Sequence, residues 1–265
     1  SHWRADPRLV RTIVDESAAT IEWLEEQGVE FVEGVSNMPD APPTYHVPRG
    51  AGEAVVRALA ARAKARGVTI KPATPAKRLL MRAGRIEGIV LEEDGEEVEV
   101  AATAVVIASG GYAENKEWIK KYAGLELGVN VIPVGNPGKM GDGIRMAWEA
   151  GAGDTGIEVL ELFRVGPVGP GYDKQTPIEY AAVQPDLWVD VDGRRFCDET
   201  VGFYETSIGN ASCRTKQWCN YSILDSGVVT RLREYGIDKA HGTGLLPGAR
   251  LSGLERDLAV AVQAG

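Results

Sequence analysis

Two glycine-rich turns carry the residue types best suited to holding a ligand. Ala108-Ser109-Gly110-Gly111-Tyr112 follows the apolar run Ala104 to Ile107. A strand ending in paired glycines lets backbone come within contact distance of a ligand, its amides free for phosphate or ring oxygens. A plain tight turn between strand and helix would use the same residues. Further on, Gly138-Lys139-Met140-Gly141-Asp142-Gly143 opens a helical stretch through Met146 and Trp148 to Gly151. Glycines at an amide-rich helix start suit an anionic or hydroxyl-bearing ligand. Asp142 either accepts from such a hydroxyl or simply caps the helix.

The remaining polar motifs are weaker. Arg49-Gly50-Ala51-Gly52 is no dinucleotide fingerprint, because Val55 holds the third glycine position and Pro and Thr precede it instead of a strand. His46 sits just upstream, where a histidine titrates, donates or is simply solvated. His2 is terminal and His241 lies in a Gly-rich loop. The run Gly193 to Glu199 reads either as a solvated hairpin end or as a buried ion pair fixing loops around a pocket. Cys197 reads as packed, since no neighbour supplies a base.

The elements that must position these residues follow from periodicity and punctuation. Asp6-Pro7 opens a helix whose Leu9, Val10, Ile13, Val14, Ala18, Ile21 and Leu24 recur at helical spacing, with Gly28 as the stop. A Pro-rich loop spans Met38 to Pro48. A second helix is expected over Glu53 to Arg66, stopped by Gly67, and a short strand over Val68 to Ile70. Arg85 to Glu92 and Glu96 to Val100 flank Asp94-Gly95, a strong hairpin signal. Ala104 to Ile107 is expected to be a strand buried on both faces. Helices follow at Glu117 to Tyr122 and Gly143 to Ala150. Leu187 to Val189 leads to the turn Asp192-Gly193. A domain boundary is placed near residue 160.

Composition bounds the rest. The 265 residues are 44% hydrophobic and 25% charged, which is ordinary for one large globular domain or two small ones. A net charge of −9 with no basic block disfavours nucleic acid and anionic membrane surfaces. No apolar run approaches the ~20 residues of a membrane span. Three cysteines without a Cys-x-x-Cys pair speak against a disulfide scaffold or zinc site and suit a reducing cytoplasm. The 32 glycines point to a backbone that approaches something closely.

Taken together and in this order, three segments resemble the fumarate reductase/succinate dehydrogenase-type flavoprotein superfamily. They are Ala108 to Tyr112, Met140 to Gly143 with Met146-Ala147 and Gly151-Ala152, and Val189 to Glu199. The resemblance implies an α/β and α+β architecture: a partial FAD-binding, Rossmann-like domain over 1–160 and a capping, substrate-bearing domain over 161–265. It places FAD contacts at Ala76, at Ser109, Gly110 and Gly111, and at Gly141, Asp142 and Gly143, with Met140 replacing the family's threonine. It implies hydride transfer between flavin and an activated C–C bond of a small organic substrate.

Two departures refine that expectation. The family's opening strand and glycine turn, which hold the FAD pyrophosphate, and its C-terminal return are not in this sequence. The chain therefore reads as an internal fragment that binds FAD weakly or not at all on its own. Its exposed surfaces suit a homo-oligomer or the remaining parts of the parent. The other reading is a folded, non-catalytic module. The second departure concerns substrate. Aligned back from Val189, the family's His-Pro-Thr falls on Gly166-Pro167-Val168, its Thr-Glu pair on Ile178-Glu179, and its arginine donor on Phe203 beside Tyr204. The cations that offset desolvation of a dicarboxylate are missing, Arg164 excepted. The pocket is expected to be apolar, formed by Glu179, Tyr180, Phe203, Tyr204, Gly166 and Arg164. Tyr204 or Tyr180 would move the proton, and fumarate would not be the substrate.

Overall fold

The computed structural model describes residues 5–32, 34, 46–133, 138–162, 165–166, 177–239, 245, 247–254 and 256. Most of the proline-rich loop, together with His2, Arg164, Pro167, Val168 and His241, lies outside the described residues. Helices and small antiparallel sheets alternate along the chain. Two compact units emerge: Ser1–Thr12 with Gly67–Leu160, and Ile13–Arg66 with Glu161–Gly265.

Helix α1 (Pro7–Glu26) runs from the first unit into the second. Asp6 accepts from the Arg8 amide at its start, and Gly28 turns left-handed (φ 94°) just past its end. The helix forms where its punctuation demands, yet the N-terminal half of its apolar stripe is exposed, Leu9 at 65% and Ile13 at 71%, whereas Ile21 and Leu24 are half-buried.

The first unit is built on a three-stranded meander, β1 (Ala76–Arg82), β2 (Arg85–Glu93) and β3 (Glu96–Ala101), in the order β1-β2-β3. Asp94 and Gly95 both take positive φ, the geometry whose twist matches a two-residue hairpin. Leu79, Leu80 and Val90 are its buried hydrophobic side chains. Ion pairs cross the strands from Lys77 to Glu92, Arg78 to Glu97 and Arg82 to Glu99. Each is solvent-exposed, so each is worth at most about 1 kcal/mol and serves register more than stability. Beyond the sheet, α3 (Lys116–Trp118) runs into a π turn over Ile119–Ala123, and α4 (Asp142–Glu149) ends before Gly151.

Two expected strands do not form. Val68 to Ile70 and Ala104 to Ile107 carry no ladder, and Val106 is 89% exposed. No backbone hydrogen bond joins residues 104–111 to a described residue. An apolar, β-branched run has the propensity for a strand, but a strand exists only through the partner that satisfies its amides and carbonyls.

In the second unit, α2 (Ala51–Ala65) starts after left-handed Gly50. The isolated bridge Phe31–Pro48 precedes it in place of a strand. Then come α5 (Pro177–Ala182), β4 (Leu187–Asp190), a 3-10 turn over Glu199–Phe203, α6 (Glu205–Ser212), β5 (Asn220–Ile223) and α7 (Ser226–Glu234). Strands β4 and β5 pair antiparallel, Trp188 opposite Ser222. Ala181, Leu232, Ile237, Leu251 and Leu254 form the core, with Tyr180 packed against it. Gln184 is fully buried and satisfied: it donates to the Tyr180 carbonyl and accepts from the Asp238 and Lys239 amides. Among the described residues no helix is long and apolar enough to cross a membrane, and no group of acidic, His or Cys side chains is arranged to hold a metal.

Candidate functional site

The two glycine turns of the first unit meet. A methyl group on Gly143 would overlap Ser109 Oγ and Ile107 Cγ2, so the Ser109 turn packs directly on the start of α4. Gly141 precedes it with φ 86°, a conformation that L side chains avoid. A methyl there would stand 2.6 Å from the Trp118 ring and 3.1 Å from Tyr112 Cβ. Glycines 141 and 143 are therefore packing glycines. Gly110 and Gly111 differ, since a Cβ on either would meet nothing within 4 Å. Ser109, Gly110 and Gly111 are exposed, and their backbone groups have no described partner.

Asp142 resolves one of the open alternatives. The N-cap of α4 is Gly141, with no side-chain cap, so Asp142 does not cap the helix. It occupies the first turn, where a carboxylate suits the helix dipole, and its exposed side chain accepts from no described residue. Ala76 begins β1 and is half-buried. Arg145 of α4 donates to the carbonyl of the next residue, Lys77, at 3.0 Å. All three segments named as FAD contacts thus lie in one unit and are tied through α4. Open backbone amides beside a free carboxylate, on turns held by packed glycines, fit the ring oxygens and hydroxyls of a nucleotide cofactor.

In the second unit, Glu179 of α5 is only 5% exposed, and a Cβ on Gly166 would lie 3.7 Å from its Oε1. Those two predicted pocket residues are neighbours. Tyr180 instead packs on the core. Phe203 closes the 3-10 turn and is buried, whereas Tyr204 is 54% exposed. His46 is exposed and meets Phe31 edge-on, with ring centroids 6.1 Å apart.

The Gly193 to Glu199 run takes a form between its two readings. Arg195 grips Glu199 through two of its three guanidinium nitrogens, Nε to Oε1 at 3.0 Å and Nη2 to Oε2. The carboxylate is buried while the guanidinium is largely exposed. The Trp188 amide also donates to Glu199 Oε1. The Arg195 hydrogen bonds, above all, hold the Glu199 carboxyl below its ordinary 4.5. A depressed carboxylate stabilises the fold above that value, and the contribution is lost as pH falls below it. Glu199→Gln is therefore expected to lower the melting temperature near neutrality, with the gap to wild type closing as pH drops below about 4.5. Melting curves across pH 3–7 check this; a gap that stays constant contradicts it. Burial pushes the Cys197 thiol up, in keeping with a packed cysteine.

Sequence reasoning passed over Asn115 and Trp118. Asn115 caps α3, which its position before a helical segment could have signalled. Its second bond, to Met140, joins residues 25 apart and has no local signature.

With this geometry in place, the class is defined: residues 1–235 match the FAD binding domain family, and the chain belongs to it. It is 35% identical over 273 aligned positions to the vinyl phenol reductase of Lactiplantibacillus plantarum, covering 100% of this chain and 55% of that protein. It is 30% identical to the NADH:acrylate oxidoreductase of Vibrio harveyi, over 72% of this chain and 20% of that one. Its fold is similar to the open conformation of a flavocytochrome c3 fumarate reductase, with a TM-score of 0.63 and 21% identity, covering 99% of this chain and 48% of the other. The chain thus spans about half the length, or less, of these relatives.

Proposed function

We propose that this chain is the central part of an FAD-dependent oxidoreductase that acts on an activated C–C double bond of a small, largely apolar substrate. The observation that carries this reading is the packing of Gly143 on Ser109, which brings the open Ser109–Gly111 backbone and the free Asp142 side chain onto one scaffold. The names of the relatives, two of them reductases of conjugated alkenes, support the reaction class. Reduction adds a hydride and a proton across the double bond; the two-electron-reduced flavin, once bound, would supply the hydride and return to oxidised FAD, and the protein supplies the proton.

The chain's own residues divide the remaining work. Ser109, Gly110 and Gly111 offer amides to the flavin, Asp142 accepts from a cofactor hydroxyl, and Ala76 contacts the far end. Glu179 beside Gly166 lines the substrate space together with Phe203. Tyr204 gives the proton and recovers it from water, because the ring of Tyr180 is drawn into the core. A phenol O–H is a suitable acid for a developing carbanion. The absence of cations at the aligned fumarate positions, together with the vinyl phenol reductase likeness, supports an aryl or other apolar alkene over a dicarboxylate. Residues 1–160 form the FAD part and 161–265 the cap in this reading. The break at Leu160/Glu161 supports that division, although residues 13–66 cluster with the second unit.

Gly111→Ala tests the cofactor site. A methyl there meets open space and no left-handed φ, so the stability of the apoprotein stays within about 1 kcal/mol of wild type. The dissociation constant for FAD in the full-length protein is expected to rise at least tenfold, because the flavin approaches that backbone. An unchanged affinity removes Gly111 from the site. Full-length protein that takes up no FAD sinks the whole reading. Reduction of fumarate as efficiently as a vinyl phenol, by kcat/KM with a dye donor, removes the substrate claim.

The exposed run Ala104 to Ile107 and the exposed N-terminal half of the α1 stripe favour a second reading for the chain in isolation, a folded module that self-associates and holds no FAD. Light scattering and FAD titration on the 265-residue chain decide it: a flavin-free dimer or larger supports it, and a monomer with one FAD excludes it.

A further inference from the structure

We propose that Asn115 is a positioning residue that sets the spacing between the two cofactor turns, and that Trp118 is the wedge it works against. This rests on the FAD reading above. Asn115 follows the Ser109–Tyr112 turn, and its backbone N–H donates to the Tyr112 carbonyl at 3.0 Å.

 That bond runs from the Asn115 backbone N–H to the Tyr112 backbone C=O, and neither side chain takes part in it. It closes the turn and presents the Asn115 side chain to the loop before α4. The side-chain Oδ1 accepts from the Trp118 N–H at 3.0 Å, and Nδ2 donates to the Met140 carbonyl at 2.9 Å. Both ends are engaged, and only one orientation of the amide satisfies a donor on one side and an acceptor on the other.

A second pair of bonds runs alongside. The Glu114 N–H donates to the Lys139 carbonyl at 3.0 Å, and the Gly138 N–H donates to the Glu114 carboxylate. Residues 114–115 thus hold 138–140 along their length. Beyond them the Trp118 ring blocks Gly141, and Tyr112, Tyr122 and Trp148 surround it with ring centroids 5.1–5.8 Å away. The loop is pulled in by Asn115 and stopped by Trp118, which leaves one spacing between Ser109–Gly111 and Asp142. Because Asn115 reads the Met140 carbonyl, this spacing is independent of the side chain at 140.

Asn115→Asp separates the two jobs of the residue in the full-length protein. Aspartate caps a helix as well as asparagine, so the Trp118 bond survives, but an oxygen then faces the Met140 carbonyl. The melting temperature of the apoprotein is expected to fall by only a few degrees. The dissociation constant for FAD, read by flavin fluorescence, rises at least tenfold, about 1.4 kcal/mol, and the circular dichroism of the bound flavin changes. Asn115→Ser, a neutral cap too short to reach Met140, gives the same pattern and covers the case in which the carboxylate prevents folding. Wild-type affinity and flavin spectrum in both variants overturn the proposal while leaving the FAD reading intact. An affinity that falls only in step with the melting temperature overturns it as well, since that is what a merely structural cap would do. Wild-type protein that takes up no FAD overturns both.

Discussion

Gly141→Ala is expected to cost the first unit about 2–5 kcal/mol and to lower its melting temperature by roughly 10 °C or more. Two independent terms add. The residue sits at φ 86°, where an L side chain costs about 1–2 kcal/mol. The new methyl also runs into the Trp118 ring at 2.6 Å, and overpacking of this kind costs about 1–3 kcal/mol. The ring has little room to yield, because Tyr112, Tyr122 and Trp148 stand around it. Gly110→Ala separates the terms. Its φ is 79° but its methyl meets nothing within 4 Å, so only the conformational cost remains. Thermal melts of both variants in the absence of FAD check the argument; equal losses would show that the Trp118 wedge contributes nothing.

Trp188→Ala is expected to remove about 3–5 kcal/mol from the second unit. Trp188 is 1% exposed, and its ring lies so close to Gly202 that a Cβ there would stand 2.5 Å from Cη2. Truncation leaves a cavity the size of an indole beside a residue that cannot fill it. The lost hydrogen bond matters less. Trp188 Nε1 donates to the Ala182 carbonyl at 3.1 Å, but Ser222 Oγ donates to the same carbonyl at 2.6 Å, so the acceptor stays satisfied. Trp188→Phe keeps most of the volume and is expected to cost less than half as much. Urea unfolding with an unchanged m-value and a lower midpoint reads the difference. A loss below about 1 kcal/mol for the alanine variant would mean that the unit collapses around the cavity.

How much was legible differs between elements and site. The residues that form α1, α2, α4, β2, β3 and β4 announce themselves through local rules: the Asp6 start, the Gly28 and Gly67 stops, the Asp94-Gly95 turn, the 3.6-residue apolar period. The glycine turns were visible as turns, and the resemblance to flavoproteins could be read from their order. Asp142 was legible only as a choice between cap and ligand, because both uses demand the same residue before a helix. The burial of Glu199 beneath an exposed Arg195 was equally open, since sequence spacing sets which charges meet and not which side of the pair faces water.

The amino-acid sequence by itself determined where the helices and the Asp94-Gly95 hairpin form and where they stop, because those outcomes depend on φ/ψ preferences and side-chain period within a few residues. Only the tertiary structure decided what each element touches. Ala104 to Ile107 has the composition of a core strand and stands exposed, since a ladder needs a second chain segment at hydrogen-bonding distance. Ser109 against Gly143, and Asn115 against Met140, join residues 34 and 25 apart, and contacts of that separation are set by chain topology rather than by any local pattern.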